Sequence, residues 1–450
     1  MKTHEEKTVM QRDLTQGKIT GNILLFALPL MAGNLLQQMY NIADTWVVGH
    51  FLGTDALGAV GSAYTLMTFL TSILLGLCMG SGAAVSMQYG KGDMPKMRRS
   101  IFMSFALIAV ISLVLNGIVY LANAPILTFL RVPGELRPMM QEYLLVIYAG
   151  IFATFLYNYY ASLLRAIGNS VTPLIFLAVS AVLNVGLDLF FVAGVHWGIK
   201  GAAIATVFSQ YVSGIGIWLY AMRHFPELLP RREDRKWEKK ELGVVLNLSV
   251  MTCIQQSIMN FGILMVQGLV NSFGTVVMAA FAAAVKIDSL AYMPVQDFGN
   301  AFSTFVAQNY GSGNRERIRK GVKSAAVTSG IFCVVLSAVV FGLAKQLMGF
   351  FVDAGETQVI AVGVNYLRIE GACYIGIGIL FLLYGYFRAV NRPFISVVLT
   401  VLSLGTRVVL AYTLSAVPAI GVTGIWWSVP IGWALADVVG IIIVFKTFRV

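Results

Sequence analysis

The sequence predicts an all-α membrane protein with twelve transmembrane helices in two six-helix lobes, related by a pseudo-two-fold axis along the membrane normal. Three observations carry that expectation. Hydrophobic residues make up 58% of the 450 positions and charged residues 12%, about half of what a soluble domain uses to cover itself in water. Uncharged stretches at 19–43, 56–90, 101–130, 143–164 and 166–187 each reach the roughly 20 residues that cross a hydrocarbon core. Polar landmarks also recur at a nearly constant spacing of about 222 residues. Tyr89-Gly90-Lys91-Gly92-Asp93 returns as Tyr310-Gly311-Ser312-Gly313-Asn314, Arg165-Ala166-Ile167 as Arg388-Ala389-Val390, and Gly198-Ile199-Lys200-Gly201 as Gly421-Val422-Thr423-Gly424.

The elements follow in order. A cytoplasmic segment at 1–18 is polar and mixed in charge, with no short apolar region and cleavage site after it, so no cleavable signal is expected. The first lobe, 19–222, reads as spans at 20–48, 57–88, 100–122, 139–165, 171–193 and 201–222. A basic linker at 223–242, containing Arg231-Arg232-Glu233-Asp234-Arg235-Lys236-Trp237-Glu238-Lys239-Lys240, reads as a solvated connector. The second lobe, 243–450, reads as spans at 243–270, 277–308, 321–345, 359–388, 393–414 and 423–446. Because each lobe has an even number of spans, both enter from the same side, which puts their symmetry axis along the membrane normal.

Charge sets the orientation. The net charge is +11, but it is sorted by side rather than massed into a nucleic-acid face, so no nucleic-acid partner is expected. Only Arg131, Arg137, Lys200 and Lys345 fall in the loops opposite the N-terminus, and Lys286, Arg368 and Arg407 fall within spans. The other Lys and Arg share the side of the termini, which the positive-inside rule assigns to the cytoplasm. The expected location is the cell (inner) membrane, multi-pass, with the lipid bilayer as partner. Cys78, Cys253, Cys333 and Cys373 have no metal or redox spacing. His4, His50, His196 and His224 lie near termini or loops and form no metal set, and no Gly-Lys-Ser/Thr nucleotide loop is present. No catalytic residues and no cofactor are expected, and the chain reads as no enzyme.

Carboxylates within spans are costly, on the order of 3 kcal/mol at mid-helix. They are Asp44, Asp188, Asp288, Asp297, Glu370 and Asp437. Asp44 lies near the outer end of the first span, and Asp188 sits about 26 Å along the fifth. Asn184 is one turn before Asp188, and Thr206 is about 8 Å down from the outer end of the sixth. Asp44, Asn184, Asp188 and Thr206 thus share a depth in the first lobe and form an all-oxygen set. Two readings stand at this point: a site for a proton or hard cation, or polar glue between helices. The repeat offers a control. The positions matching Asn184, Asp188 and Thr206 in the second lobe are Arg407, Ala411 and Val429, so the set is not duplicated, and that favours function.

With these residues in place, the chain resembles the multidrug and toxic compound extrusion (MATE) cation antiporters. The resemblance is carried by Gln37-Gln38-Met39-Tyr40-Asn41-Ile42-Ala43-Asp44-Thr45, by Gln88-Tyr89-Gly90-Lys91-Gly92-Asp93, and by Leu164-Arg165-Ala166-Ile167-Gly168-Asn169-Ser170-Val171-Thr172-Pro173. Asn184-Val185-Gly186-Leu187-Asp188 and Gly198-Ile199-Lys200-Gly201-Ala202-Ala203 leading to Thr206 complete it. It implies an exporter with a V-shaped pair of six-helix lobes, driven by inward flow of Na+ or H+. It also implies that Asp44, Asn184, Asp188 and Thr206 form the amino-terminal-lobe cation site, holding Na+ if the protein is sodium-coupled. Pro29 matches a first-span proline where bending accompanies substrate release. The chain departs from family members with an acidic seventh span, since Cys253-Ile254-Gln255-Gln256-Ser257 holds no carboxylate.

The expectation is therefore a secondary antiporter exporting amphipathic, cationic organic compounds in exchange for H+ or Na+, acting as a monomer. Gln37, Gln38, Gln255, Gln256, Lys286 and Arg407 are expected along a substrate cavity. The alternatives are a lipid-linked oligosaccharide flippase, which would need a markedly cationic cavity that paired aspartates oppose, and a membrane-embedded enzyme, which would need nucleophiles and His inside the bilayer.

Overall fold

The computed structural model describes residues 11–129, 132 and 134–449. Of the residues weighed above, Lys2, His4, Lys7 and Arg131 lie outside them. The first half contains α1 (Ile19–Leu52), α2 (Thr54–Lys91), α3 (Met94–Leu121), a short α4 (Asn123–Phe129), α5 (Arg137–Ile147), α6 (Ile151–Ala166), α7 (Val171–Asp188) and α8 (Gly198–His224). The second contains α9 (Lys239–Asn271), α10 (Thr275–Gly311), α11 (Arg315–Gly349), α12 (Thr357–Ala372), α13 (Tyr374–Ala389), α14 (Pro393–Ser415) and α15 (Thr423–Arg449). Among the described residues no strand occurs.

Among the described residues eleven stretches are long and apolar enough to cross a membrane, and α12 with α13, a pair bent by 51°, makes up to twelve when counted as one span. The tenth span expected at 359–388 is therefore broken. The cause lies at Cys373, which leaves helical geometry (φ −110, ψ 14) and donates its N–H to the Glu370 carbonyl, three residues back. In the fourth crossing, a 3₁₀ turn at Tyr148–Gly150 joins α5 to α6. Within α1, Pro29 leaves the Leu25 carbonyl without its helical donor.

The repeat seen in sequence returns in backbone geometry. Gly92 and Gly313 are both left-handed (φ 74 and 75), and each precedes a capped helix. Asp93 Oδ1 accepts from the Lys96 amide at 3.2 Å, and Asn314 Oδ1 accepts from the Arg317 amide at 3.0 Å. Gly198 and Gly421 match likewise (φ 62 and 54). Gly168 (φ 90) is matched by Asn391 (φ 58), asparagine being the side chain that best tolerates this region.

The chain divides into two compact units. Unit 1 holds Leu28–Cys253 and the described residues through Asp13; unit 2 holds Leu14–Ala27 and Ile254–Val450. The division falls inside α1 and α9 rather than at the linker. In unit 1, Tyr148, Phe155 and Tyr159 are fully buried. The Tyr159 hydroxyl lies 2.7 Å from Ser104 Oγ and donates to the Ile101 carbonyl. The α2 and α9 backbones touch where a Cβ on Gly80 would strike Leu248 and Ser249, the small-residue contact common between membrane helices. Gly168 is held to glycine twice over, by its φ and because a Cβ there would collide with the Arg12 carbonyl. In unit 2, Phe281 stacks on Trp426 (5.5 Å) with Tyr366 edge-on to that indole (5.0 Å). Arg317 donates to the carbonyls of Leu14, Gln16 and Gly17, and Asn309 Nδ2 donates to Leu14.

The linker is exposed along much of its length but is pinned to unit 1. Phe225 and Leu228 are buried in the unit 1 core. Arg98 on α3 donates to Asp234 at 2.6 Å with both side chains nearly covered, Arg99 pairs with Glu238, and Lys96 stands 3.8 Å from Glu241. The sequence showed only the charge of the linker; partners 136 residues away decide where it lies.

Candidate functional site

α1, α7 and α8 bring Asp44, Asn184, Asp188 and Thr206 together in unit 1. The α7–α8 pair is fastened by polar rungs about one helical turn apart. Ser213 Oγ donates to the Phe176 carbonyl (3.2 Å), Ser180 Oγ to the Ser209 carbonyl (3.0 Å), and Asn184 Nδ2 to Thr206 Oγ1 (3.3 Å). Thr206 gives its own hydroxyl proton to the Ala202 carbonyl at 3.1 Å. Having spent its donor, that hydroxyl can only accept from Asn184, which assigns the carboxamide orientation and leaves Asn184 Oδ1 without a donor.

Asp188 stands one turn further along α7, completely buried, and neither of its oxygens receives a hydrogen bond. Asp44, reaching in from α1, lies against it, and Asp44 Oδ1 is likewise without a donor. Directly after Asp188 the chain widens into a π turn, Leu189–Gly194, with the Val195 amide donating to the Phe190 carbonyl five residues back. Such turns concentrate at functional positions, because they re-aim the side chains around them.

The result is four buried oxygens, Asp44 Oδ1, both of Asp188 and Asn184 Oδ1, with no protein donor. Buried polar atoms are rarely left so. Two carboxylates cannot both stay ionised cheaply in a low-dielectric site. A proton shared by the pair, or a hard cation that prefers oxygen ligands, fits this set. Polar glue between helices accounts for the α7–α8 rungs, but it does not account for two carboxyls set against each other with three oxygens that receive no N–H or hydroxyl donor.

Two tyrosines of the site went unrecognised in the sequence. Tyr40 and buried Tyr143 both interact electrostatically with Asp44, and Tyr143 also with Asp188. Tyr40 precedes Asp44 by four residues, so the same-face rule could have found it; Tyr143 carried no signal. Gln37 sits beside Tyr40, and Gln38 lies next to it on α1, half-buried.

Unit 2 gathers a different cluster. Buried Asp288 on α10 lies beside Tyr374 and the Arg407 guanidinium, and Glu370, also within the field of Arg407, accepts from the Tyr366 hydroxyl at 3.0 Å. Glu370 and Tyr374 flank the break at Cys373, so the bend is what turns both toward Asp288. This grouping of Asp288, Glu370 and Arg407 was not resolvable in sequence. The expected cavity set does not form one cluster within unit 2. Arg407 belongs with Asp288 and Glu370, while Lys286 lines a cavity of about 510 Å³ with Asp353 and Glu356. Gln255 and Gln256 are buried on α9. Arg368 packs over the Phe341 ring at 5.3 Å.

A family model described as MatE matches residues 29–190 and 248–413. The chain is 32% identical over 393 residues to "Probable multidrug resistance protein YpnP" of Bacillus subtilis (strain 168), covering 87% of each chain. It is 25% identical over 416 residues to "Probable multidrug resistance protein NorM" of Thermotoga maritima, covering 91% of this chain and 88% of that one. The fold is similar to that of a structure described as the "Outward-facing conformation of a multidrug resistance MATE family transporter of the MOP superfamily", with a TM-score of 0.90 at 22% identity over 97% of both chains. A MATE structure in the bent conformation aligns with a TM-score of 0.88 at 23% identity, again over 97% of both.

Proposed function

Because the chain belongs to the MatE family of transporters, we propose that it exports amphipathic, cationic organic compounds across the cell membrane in exchange for H+ or Na+. The observation that carries this reading is the adjacent Asp44–Asp188 pair, in which buried Asp188 and Oδ1 of half-buried Asp44 receive no N–H or hydroxyl donor. An exporter driven by a gradient needs a group that is alternately charged and neutral, and this pair can alternate at little structural cost.

In the mechanism, Asp44 and Asp188 receive the coupling ion, while Asn184 Oδ1, oriented by Thr206, adds a neutral oxygen. Loading neutralises the pair, so the penalty for enclosing it among apolar helices disappears and the conformational equilibrium shifts. Pro29 sits two residues after the point where α1 passes from one unit to the other. The missing hydrogen bond to Leu25 makes that turn the easiest place for α1 to bend. Discharge of the ion to the cytoplasm restores the charged pair and resets the cycle. Both termini and the linker face the cytoplasm, supported by the one-sided distribution of Lys and Arg. The resistance function in the names of the relatives supports drug-like compounds as the cargo class.

Everted vesicles loaded in turn with an imposed pH gradient and an imposed Na+ gradient test the reading. Efflux of ethidium or norfloxacin should follow one or both gradients and stop when they are collapsed. Transport indifferent to both would overturn it.

A further inference from the structure

The linker sorts its own charges. Asp234, Glu238 and Glu241 are all taken up by Arg98, Arg99 and Lys96 of α3. Arg231, Arg232, Arg235, Lys236, Lys239 and Lys240 remain exposed; of these, Arg231 stands 3.8 Å from Glu233 and within the field of Asp234. Apart from exposed Glu233, the acids of this stretch therefore face the lobe and its bases face away from it.

The height of this patch is fixed by an aromatic contact. Trp237 is 56% exposed, yet its ring meets Phe102 edge-on at 5.9 Å. Phe102 is the second residue of the uncharged run of α3, where the hydrocarbon begins. A large exposed indole at that level, ringed by cations, has the composition of a membrane-interface anchor. Lys239 and Lys240 also stand in the first turn of α9, where the helix dipole disfavours cations and an external anion would relieve both.

We propose that this face is a binding surface for the phosphate headgroups of anionic phospholipids in the adjoining leaflet. Trp237 seats at the glycerol level, and Arg235, Lys236, Lys239 and Lys240 hold the headgroups. Charge complementarity and the depth of Trp237 select the bilayer over a soluble acidic partner. The assignment to the cytoplasmic leaflet rests on the orientation proposed above; the binding itself does not.

The test uses the full-length protein in nanodiscs of phosphatidylcholine containing a minor fraction of brominated lipid, either phosphatidylglycerol or phosphatidylcholine. Subtracting the signal of Trp237→Phe isolates quenching at Trp237. Brominated phosphatidylglycerol should quench that component at least two-fold more than the same fraction of brominated phosphatidylcholine. The combined variant Arg235→Gln, Lys236→Gln, Lys239→Gln, Lys240→Gln keeps every ion pair to α3 and should bring the ratio to one. Equal quenching in wild type overturns the proposal. So does a preference that survives in the combined variant, or the absence of any Trp237 quenching, which would leave the face to water or to a protein. Gradient-driven efflux is scored separately, so loss of lipid preference and loss of the exporter reading are distinguishable.

Discussion

Thr206 accepts a hydrogen bond from Asn184 at 3.3 Å while donating its own proton to the Ala202 carbonyl at 3.1 Å. One hydroxyl thereby orients a carboxamide one turn from Asp188. Replacing it with valine removes the acceptor, and Asn184 loses the reason to present its oxygen. Thr206→Val should raise the coupling-ion concentration for half-maximal efflux by roughly five-fold, the equivalent of about 1 kcal/mol, whereas Thr206→Ser should stay near wild type. Equal behaviour of the two variants would mean that the hydroxyl does not set the amide.

Asp188 and Asp437 are both buried, and each has an oxygen without a partner, but only Asp188 has a second carboxyl against it. Asp188→Asn should abolish gradient-driven efflux while the protein still inserts and purifies as a single species. Asp437→Asn should retain most transport. Matching losses would indicate that both carboxyls serve the architecture.

Linkage makes substrate binding and ion loading reciprocal. Affinity for a fluorescent cationic substrate should fall as the Asp44–Asp188 pair is loaded, by acid or by Na+. In Asp44→Asn that dependence should flatten. Titration of the purified protein across pH, with and without Na+, reads this directly; flat curves in both proteins would remove the pair from the coupling mechanism.

The linker has its own pH response. Burial works to raise the Asp234 carboxyl, but the Arg98 guanidinium and the Arg231 amide win and hold it below the usual carboxylate range. A depressed folded value means that the contact is fully present above the unfolded value of about 3.9 and is lost as pH falls below it. Protection of the linker from acid-tolerant proteases should therefore be constant from neutral pH to about 5 and fail only under strong acid. Asp234→Asn strands a buried guanidinium, costing on the order of 3 kcal/mol, and should open the linker to trypsin at neutral pH. The half-exposed Arg99–Glu238 pair is worth under about 1 kcal/mol, so Arg99→Gln should leave cleavage nearly unchanged.

Orientation is open to thiol labelling. A cysteine placed at exposed Arg232 should react with an impermeant maleimide in everted vesicles and be silent in intact cells. Labelling of intact cells would invert the assignment of sides.

The crossings were legible because hydrocarbon imposes its demand on composition, one residue at a time, and a stretch such as 101–130 satisfies it visibly. The carboxylates were legible for the converse reason, since Asp44 and Asp188 break that demand. What brings Tyr143 to Asp44, or Arg98 to Asp234, is packing between segments far apart in the chain, and composition carries no trace of it. The break at Cys373 has no proline to announce it, and the π turn after Asp188 consists of ordinary apolar residues. Local backbone departures of this kind are settled by neighbours in space. The sorting of Arg407 with Glu370 and Asp288 waited on the bend for the same reason.

Gly168 and Asn391 stand at matching turns of the two halves. Both hold the left-handed backbone that directly follows Arg165-Ala166-Ile167 and Arg388-Ala389-Val390, at φ 90 and φ 58. In the first copy the Arg12 carbonyl occupies the space of a Cβ, and the Arg12 amide donates to the Gly168 carbonyl at 3.0 Å. That crossing segment leaves room for glycine alone. In the second copy Asn391 holds the same backbone with a side chain, so the turn by itself admits one, and at 168 it is the Arg12 strap that shuts it out.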